Sequence, residues 1–286
     1  MKHTLLLIHG ISDGDGPHDF DKFWQRLSGI YSELHKVSFD DYFLKAPIEW
    51  DAATSEGESD IFKACFGGIR ESDKYLVHGN LFQTGKAMID TRAWRYFSTF
   101  LIGDVVAYID EADNKIRETA WGSMRQYLES EDGSIKPYSI IGHSLGSVIA
   151  YDFIFALMVR NKLFDFATAP VLTAPQIQSW QDGFRNLYTM GSPIGLFMMR
   201  HRDLWQNDFG NLINPVDNTS KIRTWLNLLD KDDLVAYPLE PIFKDQPGKS
   251  LRDLEVDTGM LMPWAHTQYW DDDETAKAIV STLPPP

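Results

Sequence analysis

Between Pro137 and Val159 the chain passes from a short apolar run, through a serine set between two glycines, into an apolar helical stretch. No other segment restricts the fold as strongly. Tyr138 to Ile141 reads as a short buried strand, and Ser147 to Val159 as a helix that is hydrophobic on nearly all sides and so deeply buried. The link is Gly142-His143-Ser144-Leu145-Gly146. A turn this tight leaves no space for a Cβ at the flanking positions. The serine is pushed clear of the sheet at a helix N-terminus, where free N–H groups and the helix dipole favour developing negative charge. Gly-x-Ser-x-Gly arises by chance in on the order of one in ten chains of this size. The strand–turn–helix setting is what gives it weight, against the plainer reading of Ser144 as a helix cap.

The rest of the chain alternates in the same way. Leu5 to Ile8 reads as a buried strand, and Asp21 to His35 as an amphipathic helix with Phe23, Leu27, Ile30 and Leu34 on one face. Tyr42 to Trp50 is extended, with Pro47 arguing against a regular central strand. A row of apolar residues at i, i+4 steps predicts a long helix from about Ala93 to Glu129. Leu187 to Met190, Ile222 to Leu229 and Leu254 to Val256 read as strands, and Glu274 to Thr282 as a last helix led by Asp271, Asp272 and Asp273, whose charge suits a helix N-terminus. The alternation predicts an α/β fold, a mostly parallel sheet with helices on both faces, in one domain over 1–286. Ligands of such sheets sit at the carboxyl ends of the strands. Two stretches are excursions from this plan: 51–90, broken by several glycines, and 193–220. Each is either a lid over the site or a long surface connection.

The net charge of −14 disfavours phosphate backbones, so nucleic acid is not an expected partner. With a single cysteine, Cys65, neither an internal disulfide nor a cysteine metal cluster can form. No run reaches the roughly 20 apolar residues of a transmembrane segment, and Leu5 to Ile8 is too short for a signal peptide, so a cytoplasmic location is expected. No Gly-x-Gly-x-x-Gly follows the first strand, which disfavours a dinucleotide enzyme.

Ile140-Ile141-Gly142-His143-Ser144-Leu145-Gly146-Ser147-Val148-Ile149-Ala150 resembles the nucleophile elbow of lipases and esterases of the α/β-hydrolase family. The resemblance implies that Ser144 is the nucleophile. It also implies that the His9-Gly10 turn after the first strand presents an oxyanion donor, the N–H of Ile11, with the N–H of Leu145 as the second. His9 is then scaffold for that turn.

A serine nucleophile needs a base, and the base needs an acid to orient it. In this family the chain order is Ser, then acid, then His. After Ser144 the histidines are His201, in a basic Arg-His-Arg context, and His266, between a strand and the last helix, where the family carries its base. For the acid, Asp233-Leu234-Val235-Ala236 is similar to the family's Asp-Pro-Val-Ala, with Leu234 in place of proline. Asp230 is the second choice and Asp257 the third. Ser192, in Gly191-Ser192-Pro193, lacks the second glycine and reads as structural. The expected triad is therefore Ser144, His266 and Asp233. The expected activity is cleavage of a carboxylic ester through an acyl-serine, with no cofactor and a small-molecule or lipid ester as substrate. The alternatives are lipase, phospholipase or acyl-transfer chemistry and, from another class, an inactive hydrolase-fold binding module. Oligomeric state is left open by the sequence.

Overall fold

A computed structural model describes residues 2–10, 18–50, 108, 115–160, 163, 172–198, 212–216, 223–244, 250–259 and 264–286. Strand β1 (His3–Ile8) leads to helix α1 (His18–His35), a short α2 (Phe39–Tyr42) and β2 (Phe43–Ile48). Helix α3 (Lys115–Leu128) follows, then β3 (Tyr138–His143), α4 (Leu145–Met158), α5 (Ala174–Gly183), β4 (Phe184–Met190) and a short α6 (Ile194–Phe197). The chain continues through β5 (Leu212–Ile213), β6 (Thr224–Leu229), β7 (Phe243–Lys244), β8 (Leu251–Glu255), a 3₁₀ segment (Trp264–Trp270) and α7 (Asp273–Thr282).

Six strands form one sheet in the order β2-β1-β3-β4-β6-β8, and every pairing in it is parallel. β5 and β7 pair separately. The two-residue period of a strand divides the sheet's side chains between two cores. Leu6, Ile8, Ala46, Ile48 and Ile140 face one side, packed with Ala120 and Met124 of α3 and Val148 and Ile149 of α4. Leu5, Leu7, Phe43, Ile141 and Met190 face the other, packed with Phe23 and Leu27 of α1 and Ile279 and Val280 of α7. Because both faces are covered, β1 and β3 read as unbroken buried runs rather than as alternating ones. α4 lies between the sheet and its neighbours, so twelve of its fourteen residues are buried.

Pro47 falls in β2, an edge strand, where a missing N–H is tolerated. The buried stripe of α1 runs through Phe20, Phe23, Trp24, Leu27 and Tyr31, and Leu34, expected on that face, is 59% exposed. Tyr31, one turn beyond Leu27, ends the buried row, and its hydroxyl donates to the carbonyl of Pro284. The acidic start of α7 is a cap: Asp272 accepts the Thr275 N–H at 2.7 Å. Of the expected long helix, the part from Lys115 is helical and buries Ile116, Ala120, Trp121, Met124 and Leu128; residues 93–107 and 109–114 lie outside the described residues, as does the excursion over 51–90. Among the described residues no helix is long and apolar enough to cross a membrane.

Candidate active site

The carboxyl ends of β1, β3, β4 and β6 lie at one edge of the sheet; Ser144 leaves from β3 and Asp233 from the loop after β6, while His266 is carried by the 3₁₀ segment that comes after β8. Ser144 follows β3 directly and precedes α4. Its backbone has φ 52° and ψ −126°, one of two positive-φ non-glycine residues among those described. A side chain in such a conformation costs of order 1–3 kcal/mol and persists only where the surroundings impose it. Here they do. The Ser144 N–H donates to the Met190 carbonyl of β4 at 2.9 Å, and the Ser147 N–H donates to the Ser144 carbonyl at 3.0 Å. A Cβ on Gly146 would lie 2.3 Å from the carbonyl oxygens of Ile8 and His9, and one on Gly142 would lie 2.7 Å from the Gly146 oxygen. The crowding inferred from the Gly-x-Ser-x-Gly spacing is thus a contact between the elbow and the end of β1.

The side chains of Ser144, His266 and Asp233 form one hydrogen-bonded line. His266 Nε2 lies 2.8 Å from Ser144 Oγ, and His266 Nδ1 lies 2.9 Å from Asp233 Oδ2. With Nδ1–H donating to the carboxylate, Nε2 presents its lone pair to the serine O–H. The three residues are 2%, 4% and 3% exposed. Asp233 Oδ1 also accepts from the Val235 N–H at 2.9 Å, and Oδ2 accepts from the Tyr269 hydroxyl at 3.1 Å. Burial pushes this carboxyl up. The charge on His266 and the hydrogen bonds from His266, Val235 and Tyr269 outweigh it and hold Asp233 below the ordinary carboxylate value.

The other acids do different work. Asp230 Oδ1 accepts the Asp232 N–H at 2.8 Å, and Oδ2 accepts the N–H and hydroxyl of Thr258 at 2.8 and 2.7 Å, so Asp230 staples its loop to the loop after β8. Asp257 accepts the Gly259 N–H in an exposed turn. Ser192 is buried, with its Oγ 2.7 Å from Ser147 Oγ and accepting from the Ile194 N–H at 3.3 Å. Ser147 Oγ also donates to the Ser144 carbonyl at 2.5 Å, so the pair braces the elbow against the end of β4.

His9 stacks on Trp50 with ring centroids 5.4 Å apart, and the Trp50 indole N–H donates to the His9 carbonyl at 3.0 Å. This fixes the turn after β1 beside Ser144. Leu145 opens α4, where first-turn N–H groups have no acceptor within the helix. Ile11 and His201 lie outside the described residues, as do 199–211 and 217–220 of the second excursion.

Three residues of the site escape sequence reasoning. Tyr269 also takes the Asp230 N–H at 2.8 Å, so one hydroxyl ties the two aspartates together. Gly191 has φ 55°, and a Cβ there would come within 2.9 Å of the Tyr269 ring, 3.0 Å of Asp233 Oδ2 and 3.2 Å of His266 Nδ1. Its place at the end of a strand, in Met-Gly-Ser-Pro, was the available signal. The third is His143, whose ring lies 4.9 Å from that of His266.

No protein-family model matches the chain, and no curated protein matches it. Among solved structures the chain is similar to an uncharacterized protein from Pseudomonas aeruginosa, at 11% identity and a TM-score of 0.26, over 96% of this chain and 46% of that one. The chain thus spans less than half the length of that protein, and a likeness at this level carries no inference about activity.

Proposed function

We propose that the protein is a serine hydrolase of the α/β-hydrolase type that cleaves a carboxylic ester through an acyl-serine intermediate. The observation that carries the reading is the unbroken line from Ser144 Oγ through His266 to Asp233, with the serine on a backbone that folding alone would not choose. As Ser144 Oγ bonds to the ester carbonyl carbon, its proton passes to His266 Nε2. Asp233, kept ionised, fixes the tautomer that can receive it and stabilises the imidazolium. Collapse of the tetrahedral intermediate breaks the bond to the alcohol oxygen, which leaves with the proton from Nε2. Water then attacks the acyl carbon and gives up a proton to Nε2; collapse breaks the bond to Ser144 Oγ, which takes that proton back as the acid is released. The N–H of Leu145, with that of Ile11 as the family resemblance implies, receives the oxyanion; each such donor is worth roughly 10²–10³ in rate.

A lipid ester is the alternative substrate class. Leu234, beside the acid, is 73% exposed, and Leu196, on the segment after β4, is 45% exposed. Activation by substrate micelles supports that class, whereas strict preference for short soluble esters opposes it.

The test of the mechanism pairs two serines at opposite ends of β3. Ser144→Ala is expected to lower turnover of p-nitrophenyl esters by about 10⁴-fold or more and to abolish labelling by a fluorophosphonate. Ser139→Ala is expected to stay within about twofold of the parent in turnover while losing about 1–3 kcal/mol of stability through an unpaired Asn186 N–H. Undiminished turnover in Ser144→Ala rejects the assignment, and a folded parent that the probe does not label supports the binding-module alternative.

A further inference from the structure

We propose that His143, the residue between glycine and serine in the elbow, is a positioning residue that anchors the base to the chain segment carrying the nucleophile. His143 Nε2 lies 2.6 Å from the backbone carbonyl of His266. A carbonyl can only accept, so the ring's proton is on Nε2 and points at that oxygen. The role rests on the acyl-serine reading above, since a base needs positioning only if it acts.

The geometry forms a closed loop. Ser144 Oγ bonds the His266 side chain, and the neighbouring His143 bonds the His266 main chain. The separation of nucleophile and base is therefore set from both ends of one residue by two adjacent residues of the elbow. Asp233 and Ser144 hold the His266 ring, whereas its backbone belongs to Trp264–Trp270, a 3₁₀ stretch whose hydrogen-bond geometry is poorer than that of an α-helix, and the His143 bond ties that backbone to the elbow. Trp270 packs edge-on to the His143 ring with centroids 5.0 Å apart, and the Tyr269 ring lies 5.7 Å away, so the imidazole is held on the same segment it anchors.

The chemistry explains why a histidine serves. Burial, followed by the charges on His266 and His9, pulls its pKa down to about 3, so the ring is neutral across the working range. It donates one hydrogen bond without adding a positive charge beside His266, which itself becomes cationic during the reaction. A lysine or arginine could donate as well but would oppose that charge. A phenylalanine would fill the space and donate nothing.

The experiment compares parent, His143→Phe and His143→Gln by steady-state ester hydrolysis and by the rate of fluorophosphonate labelling. Glutamine carries an amide N–H near the position of Nε2. His143→Phe is expected to lower kcat and the labelling rate on the order of 10–100-fold with KM nearly unchanged, and His143→Gln to recover most of that loss. Labelling of His143→Phe at the parent rate overturns the proposal, and so does a His143→Gln variant as slow as the phenylalanine one, which would assign the position to packing. A folded parent that the probe does not label removes the acyl-serine reading itself, and the proposal with it. One measurement needs no variant: ¹⁵N NMR of the parent at pH 7 is expected to find His143 neutral and protonated on Nε2, with that proton protected from exchange. Protonation on Nδ1, or a cationic ring, overturns the anchor.

Discussion

The two ends of β3 carry the same pair of residue types in the same contact. At the amino end, His3 Nε2 lies 3.0 Å from Ser139 Oγ; at the carboxyl end, His266 Nε2 lies 2.8 Å from Ser144 Oγ. All four residues are buried. A serine–histidine hydrogen bond therefore does not by itself distinguish a reactive centre from a brace. The surroundings do. Burial, and after it the Arg185 cation, drives the His3 imidazole down to about 3 and makes it a poor base. The charge beside His266 is a carboxylate in hydrogen-bond contact with its other ring nitrogen. Ser139 also lies within the ladder, in register with Leu5, whereas Ser144 is outside it at φ 52°.

The contrast breaks first at the carboxylates. Asp233→Asn is expected to lower kcat by about 10³–10⁴-fold, because an amide stabilises the wrong tautomer of His266. Asp230→Asn, a few residues away, is expected to lose about 1–2 kcal/mol of stability by loosening its bonds to Thr258 and Asp232, with kcat changed only severalfold. Ester kinetics and urea unfolding of the two variants side by side check this; equal losses of kcat would mean that the acid has been misassigned.

A smaller effect sharpens the contrast at the other end. The folded-state pKa of His3 lies below its ordinary value of 6.5, at about 3. Below pH 6.5 the unfolded chain takes up a proton that the folded chain refuses. The stabilising contribution is thus full above 6.5 and declines as the pH falls toward 3, by up to about 1.4 kcal/mol per pH unit. His143 shifts in the same direction and adds to the slope. His3→Gln is expected to flatten the acid limb of stability by one proton's share while leaving kcat at neutral pH unchanged. An unaltered slope in urea titrations at several pH values would show that His3 is not held neutral.

Much of the fold and the three residues of the hydrogen-bonded line Ser144–His266–Asp233 could be read from the sequence because local patterns and the family resemblance carried them. β3 and α4 were legible as largely apolar runs, and Gly142 and Gly146 marked the turn. Asp233 was legible even though Leu234 stands where the resembled family has proline. That side chain points to solvent, so no packing partner constrains it. Patterns failed where polar residues enter the sheet. β4 begins at Phe184 rather than Leu187, because buried Asn186 is satisfied by donating to Tyr188 and to the Thr282 carbonyl. β8 begins at Leu251 because Asp253, which interrupts its apolar pattern, accepts the N–H groups of Leu239 and Glu240. α5 went unread despite a capping box, Thr173 with Gln176, and a proline in its first turn. Tyr269 and the anchoring role of His143 depend on contacts between segments 39 and 123 residues apart, which no spacing rule encodes.

The backbone conformation at residue 144 sets persistence against reactivity at a single position. Glycine there would release the cost of a Cβ at positive φ, of order 1–3 kcal/mol, against about 0.5–1 kcal/mol for the extra freedom of glycine in the unfolded chain. Ser144→Gly is therefore expected to outlast Ser144→Ala in thermal denaturation, although both are inert toward esters. On the acyl-serine reading, a hydroxyl held at this place costs stability that glycine would not, and the reaction is what accounts for it.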